Sequence, residues 1–267
     1  MLDSAAAISA TAAEKVSSGF FVTVENVADG VGFSLFSLPH ASWLVATALF
    51  CIIGGLWYRR ATERQRDIFR KTMAILLIAD ELFKIVCLLI MGQYLPKYLP
   101  LHLCSINIFT ITWYAFVRRT ETMKNFLYLI CIPGALLALL FPTWTSLPTT
   151  SFMYWHSSTV HLLLVSFPVI LTIAGEIRPN WRYAGKVLAL LAALAVVALV
   201  ANLIWDTNFM FLMYAEPGNP LYFFATHWGN HLWGFVVLLP AIIVLMYLPW
   251  VIVDAVKARR AKQEAEA

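Results

Sequence analysis

Charge is scarce in this chain: of 267 residues only 13% are Asp, Glu, Lys or Arg, while 61% are hydrophobic. A water-soluble domain carries about 25% charged and about 45–50% apolar residues. That shortage excludes a single soluble globule, which could not hide so much apolar surface. Cysteine is also sparse. Cys51, Cys87, Cys104 and Cys131 each sit inside an apolar run without CxxC spacing, so neither a disulfide framework nor a structural zinc site is indicated. There is no GxGxxG and no phosphate loop, and no soluble cofactor is expected. The net charge of +4 comes in short clusters between apolar runs, which is topology rather than a nucleic-acid face. The first thirty residues lack a basic n-region and a long apolar stretch, so they do not read as a signal peptide. With Asp3, Glu14, Glu25 and Asp29 against Lys15, residues 1–32 are expected to form an acidic tail outside the cytoplasm.

Long hydrophobic runs are what the chain does have. A span needs roughly 20 apolar residues to cross about 30 Å of hydrocarbon. Seven segments meet that, at about 41–58, 72–94, 98–117, 125–142, 153–175, 184–205 and 222–250. Basic residues fall in every second connection: Arg59, Arg60, Arg64, Arg66, Arg70 and Lys71; Arg118, Arg119 and Lys124; Arg178, Arg182 and Lys186; then Lys257, Arg259, Arg260 and Lys262. The alternate segments hold only Lys15 and Lys97. The positive-inside rule then sets the direction. The expected fold is an all-α polytopic transmembrane bundle of about seven spans, N-terminus outside and C-terminus cytoplasmic. Its membrane domain covers 33–256 and a basic tail covers 257–267.

That orientation puts all six histidines in the outer half, together with Cys104. His40 opens span one, His102 opens span three, His156 and His161 begin span five, and His227 and His231 begin span seven. At 1.5 Å per residue, Cys104 and His161 lie at similar depth and could meet across a helix interface. Asn107, three residues after Cys104, shares its face, whereas His102 points away on a regular helix. A thiol in an apolar site needs a base to become a nucleophile.

Span two carries Asp80, Glu81 and Lys84 near mid-membrane, each costing about 2.5–3.5 kcal/mol on insertion scales. Local pairing of Lys84 with Asp80 or Glu81 relieves part of that. The cluster reads equally as a structural brace and as a substrate-headgroup or proton site. In HWGNH, His227 and His231 have the i, i+4 spacing of zinc sites. A third ligand from His102, His156 or Asp206 would complete a metallohydrolase. The alternative is two interfacial histidines among Trp228, Trp233 and lipid.

LFSLPH, Glu81 followed by LPLHLCSINIF, the stretch from His161 through Pro168 to RPNWR, and NFMFLMYAEP from Asn208 to Pro217 occur in this order. Together they make the chain similar, over roughly 33–250, to the bacterial YwaF-type integral membrane proteins. Those are relatives of a eukaryotic transmembrane acyltransferase that remodels ether phospholipids. LPLHLC is the most specific element. The resemblance implies that Cys104 is an acyl-accepting nucleophile and that His161 is the span-five histidine. Leu162 stands where that family commonly has glycine, and HWGNH departs from its usual last span.

The function expected from residues and resemblance together is a thiol-dependent acyltransferase acting on membrane glycerophospholipids in a bacterial cytoplasmic membrane. Cys104 would attack an acyl ester, His161 would accept its proton, and Asn107 or His102 would orient the base or polarise the carbonyl. Glu81, Lys84, His156 and Asn208 are the substrate-binding candidates. The rivals are a zinc-dependent lipid hydrolase at His227 and His231, and a lipid or solute carrier without chemistry.

Overall fold

The computed structural model describes residues 15–266, so Asp3 and Glu14 of the expected tail lie outside them. Among the described residues the elements are helical, with one isolated bridge between Val16 and Val27. Six helical stretches are long and apolar enough to cross a membrane. Helix α2 (Glu63–Ile90), 28 residues long, is not among those six and runs beside them. Its apolar stretch is interrupted by Asp80, Glu81 and Lys84, yet Arg70 at one end meets the basic end of the bundle. Cys87 and Leu88 at its other end pack with Trp144 and Phe152.

Helix α1 (Leu38–Arg60) starts with Pro39 in its first turn and ends on Arg59 and Arg60, the placements that suit fixed φ and the helix dipole. Thr62 and Gln65 then form a capping box that starts α2 after a connection of two residues. Helix α6 (Phe152–Ile173) is the centre of the bundle: 67% of its apolar window is buried, against 22% in α1. Gly54 and Gly55 of α1 face Ile170 and Ile173 of α6, and a Cβ on Gly55 would come within 2.8 Å of the Ile173 side chain. Small residues at a crossing let membrane helices approach closely, where packing rather than hydrophobicity drives association.

Three spans differ in detail from the sequence expectation. The third helix, α3 (Leu103–Phe116), begins later than residue 98. Pro96 opens a short 3₁₀ turn and Pro100 follows it, and neither can donate to a helix. The fourth span is composite: α4 (Glu121–Phe126), a π turn at Leu127–Cys131, and α5 (Ile132–Leu140). Pro133 lacks the N–H that would close an ordinary turn onto Leu129, so the ladder widens before it.

After α7 (Ala184–Trp205), the last span is broken into α8 (Pro220–Trp228) and α9 (Leu232–Glu266). Gly229, at φ 76°, takes the left-handed conformation that ends α8.

The basic connections converge on one end. There the Glu176 carboxylate accepts hydrogen bonds from Tyr58 Oη (2.5 Å), Arg70 Nη1 (2.8 Å) and Tyr114 Oη (2.9 Å). One acid thus ties α1, α2 and α3 to the end of α6.

At the opposite end residues 15–36 are docked on the bundle. Ser151 Oγ donates to the Val22 carbonyl (2.6 Å), Phe152 N to Phe20 O (2.9 Å) and Phe33 N to Thr145 O (2.9 Å). Glu25 pairs with Lys97 and accepts from Tyr98 Oη. Burial works against ionisation of Glu25. The hydrogen bonds from Lys97 and Tyr98 outweigh it and hold the carboxyl below its ordinary value.

Candidate active site

The charges of span two are paired, one pair at helix spacing within α2 and one across to α6. Lys84 Nζ donates to Glu81 Oε1 at 2.6 Å, and both side chains are nearly sealed, at 7% and 5% exposure. Asp80 instead takes His156 Nδ1 of α6 at 2.6 Å, and His156 Nε2 lies 3.8 Å from Glu81 Oε2. The four side chains form a chain from Asp80 through His156 and Glu81 to Lys84, bridging α2 and α6.

Cys104 is the second residue of α3, whose N-cap is His102 with no side-chain cap bond. The first N–H groups of a helix have no partner within it and carry its positive pole. Cys104 stands in that first turn, where such groups favour a negative sulfur. Cys51, Cys87 and Cys131 are buried instead. Cys131 Sγ donates to the Leu164 carbonyl at 3.3 Å and Cys51 Sγ to Ser166 Oγ at 3.4 Å.

His161 lies in α6, and its Nδ1 is 2.6 Å from the Ser157 carbonyl. A carbonyl can only accept, so Nδ1 carries the proton and Nε2 is left as the basic nitrogen. Nε2 makes no hydrogen bond among the described residues, and none joins His161 to Cys104. The ring stacks on Trp144, centroids 4.9 Å apart and planes 21° from parallel. Trp144 Nε1 is buried without an acceptor, and Asn107 Oδ1, one turn below Cys104, is buried without a donor. Buried polar atoms are normally satisfied, and here two unsatisfied ones stand beside the candidate base and the candidate nucleophile.

His102 does not face the thiol's helix neighbours. Its ring packs on Phe209 (5.1 Å) and Phe211 (6.1 Å). The loop that presents those rings carries three non-glycine residues at positive φ, Asp206, Met210 and Phe211. Such strain persists only where the surroundings enforce it. Asn202 Oδ1 accepts from Phe209 N (2.6 Å) and Thr207 Oγ1 (3.0 Å). Asn208 donates to Tyr214 O (3.0 Å) and accepts from Met213 N (3.0 Å). Asn208, a substrate-binding candidate by sequence, thus has its amide engaged in shaping the loop behind His102.

The proposed histidine pair of the last span is not formed as expected. Gly229 separates the two residues, so His227 lies in the last turn of α8 while His231 lies in the turn before α9. They share no helical face. His227 Nδ1 contacts Phe223 O at 2.9 Å and its ring stacks on Phe223. His231 Nε2 is 3.4 Å from Leu212 O. Among the described residues no group of three or more His, Cys, Asp or Glu side chains could hold a metal ion, so the zinc geometry anticipated from HWGNH is corrected.

Sequence reasoning missed Ser157 and Trp144, which orient the His161 ring. Ser157 was findable, because it lies one turn before His161 and a helical histidine reaches the i−4 carbonyl. Trp144 lies in a connection, where no periodicity reports what it touches.

A family model described as the TMEM164 family matches residues 35–247. No curated protein and no solved structure matches the chain.

Proposed function

Because the chain belongs to the TMEM164 family and forms an integral membrane helical bundle, we propose that it is a thiol-dependent acyltransferase working on glycerophospholipid acyl chains. The observation that carries this reading is the state of His161. With Nδ1–H given to the Ser157 carbonyl, Nε2 is left free to act as a base, and the residue count along the two spans sets it at a depth similar to that of Cys104. Cys104 Sγ attacks the carbonyl carbon of an acyl ester while His161 Nε2 takes the thiol proton. The tetrahedral intermediate collapses by breaking the C–O bond, and the imidazolium returns its proton to the departing lysolipid oxygen. The acyl-thioester left on Cys104 is attacked by an acceptor hydroxyl, deprotonated by the same nitrogen, and the thiol is regenerated.

The Trp144 indole N–H is a donor without an acceptor, and a carbonyl becoming an oxyanion supplies one. Asn107 offers an amide from the cysteine's own helix face. Asp80, His156, Glu81 and Lys84 form the polar wall against which a headgroup would rest. The finer placement among YwaF-type members, and with it a bacterial cytoplasmic membrane, belongs to the same proposal and rests on the LPLHLC element.

Intact-mass measurement of the purified protein incubated with phospholipid tests it. An acyl adduct that neutral hydroxylamine removes is expected on the wild type and is absent from Cys104→Ser. His161→Ala should slow acylation by roughly 10²–10⁴, the usual contribution of a placed general base. Full turnover by Cys104→Ala would overturn the thiol mechanism.

A further inference from the structure

A polar cavity lies at the basic end, where α3 finishes, whereas Cys104 stands at the start of that helix. It has a volume of about 250 Å³ and opens between the start of α2, the end of α3, α4 and the end of α6. Four cations line it, Arg66, Arg70, Arg119 and Lys124, against two carboxylates, Glu63 and Glu176. The deeper acid is already saturated, since Glu176 accepts from Tyr58, Arg70 and Tyr114. Arg70 is completely buried, and its Nε–H has no acceptor although both Nη atoms are bonded. Arg66 is occupied in capping α1, donating to the Tyr58 and Arg59 carbonyls.

The remaining pairings involve exposed carboxylates at the mouth, and those of Arg119 are long. Glu63, 69% exposed, accepts from Arg70 at 2.7 Å and from Arg119 at 3.4 Å. Arg119 also reaches Asp67 at 3.3 Å, while Lys124 pairs outward with Glu121 at 2.7 Å. Exposed pairs of this kind hold weakly, so an incoming anion competes with Glu63 for Arg70 and Arg119. Arginine forks match phosphate geometry, and basic pockets between membrane helices at the cytoplasmic side take lipid headgroups.

We propose that this cavity is a phosphate-binding site, occupied by the headgroup phosphate of an anionic phospholipid or by free phosphate. Arg119 and Lys124 are the exchangeable cations, Arg70 is the buried anchor, and Glu63 is the internal competitor. The site is independent of the Cys104 chemistry, and its test does not read activity.

The experiment uses the full chain in micelles containing equal phosphatidylglycerol and phosphatidylcholine, with retained lipid counted by native mass spectrometry. A parallel arm measures thermal stabilisation by inorganic phosphate without lipid. The wild type should retain phosphatidylglycerol over phosphatidylcholine, and each lost cation should lower that preference roughly fivefold. Arg119→Gln with Lys124→Gln should therefore bring the two lipids close to parity, and Glu63→Gln should raise phosphatidylglycerol retention. Arg119 is exposed and Lys124 half-buried, and unchanged elution and circular dichroism report an intact fold. Stabilisation by inorganic phosphate that the double variant loses, without lipid preference, assigns the site to free phosphate. Equal behaviour of wild type and double variant in both arms overturns the proposal.

Discussion

Replacing Lys84 with methionine tests what the intramembrane charges do. Methionine keeps the length and the apolar stem but removes the ammonium that lies 2.6 Å from Glu81 Oε1. Glu81 would then keep only His156, whose Nε2 is 3.8 Å away and whose Nδ1 is engaged by Asp80. Breaking a buried pair by removing one partner costs about 3–5 kcal/mol. Lys84→Met should therefore destabilise by about that much. Lys84→Met with Glu81→Gln should recover more than half, because no charge is then stranded. The assay is the free energy of denaturant unfolding in mixed micelles, read by tryptophan fluorescence, with folded yield as a second measure. Loss of less than about 1 kcal/mol in the single variant, or a double variant no better than the single, would refute the argument that pairing carries the cost. A single variant that folds normally but forms no acyl-thioester would make the cluster part of the site and not a brace.

Three further outcomes follow from the geometry. A membrane-impermeant thiol reagent applied to intact cells should label a cysteine placed at Thr145 or Gly218 and spare one at Gln65 or Glu121; the reverse pattern would invert the bundle. The Glu25 carboxyl is held below its ordinary value, so the stability it lends the docked segment is full above the ordinary glutamate range. It is lost as pH falls through the lowered value. Limited proteolysis near residue 25 should accelerate only below about pH 4 in the wild type, and already at neutral pH in Glu25→Gln. Gly55→Val should lower the unfolding free energy by about 1–3 kcal/mol, the usual penalty of overpacking. Its branches would enter the space held by Ile173, and an unchanged midpoint would contradict a close α1–α6 crossing.

Much of this architecture was legible in the sequence because the bilayer imposes a one-dimensional rule. Backbone groups in hydrocarbon must be satisfied within the segment, so a long apolar run is a helix and its basic flanks set its direction. That logic reached even α2 as a helix, where three charges interrupt the run. It placed Cys104, His156 and His161 at one end of the bundle, and the helix start at Leu103 puts the thiol where helix N–H groups are unpaired. Hydropathy could not locate the end of α8, because one glycine at φ 76° leaves the apolar run unbroken while turning the chain. His227 and His231 were misplaced for that reason.

What the sequence determined alone is the solvent and the all-helical, polytopic class, since these depend on properties that add along the chain. Partners do not add along the chain. Asp80 has Lys84 four residues away, yet pairs with His156, 76 residues on, because α6 brings that ring onto the facing side of α2. Arg70 and Glu176 are 106 residues apart and meet only because four helices end at one level. The basic nitrogen of His161 was likewise decided by folding. It is the α6 backbone, through the Ser157 carbonyl, that holds the proton on Nδ1 and leaves Nε2 open.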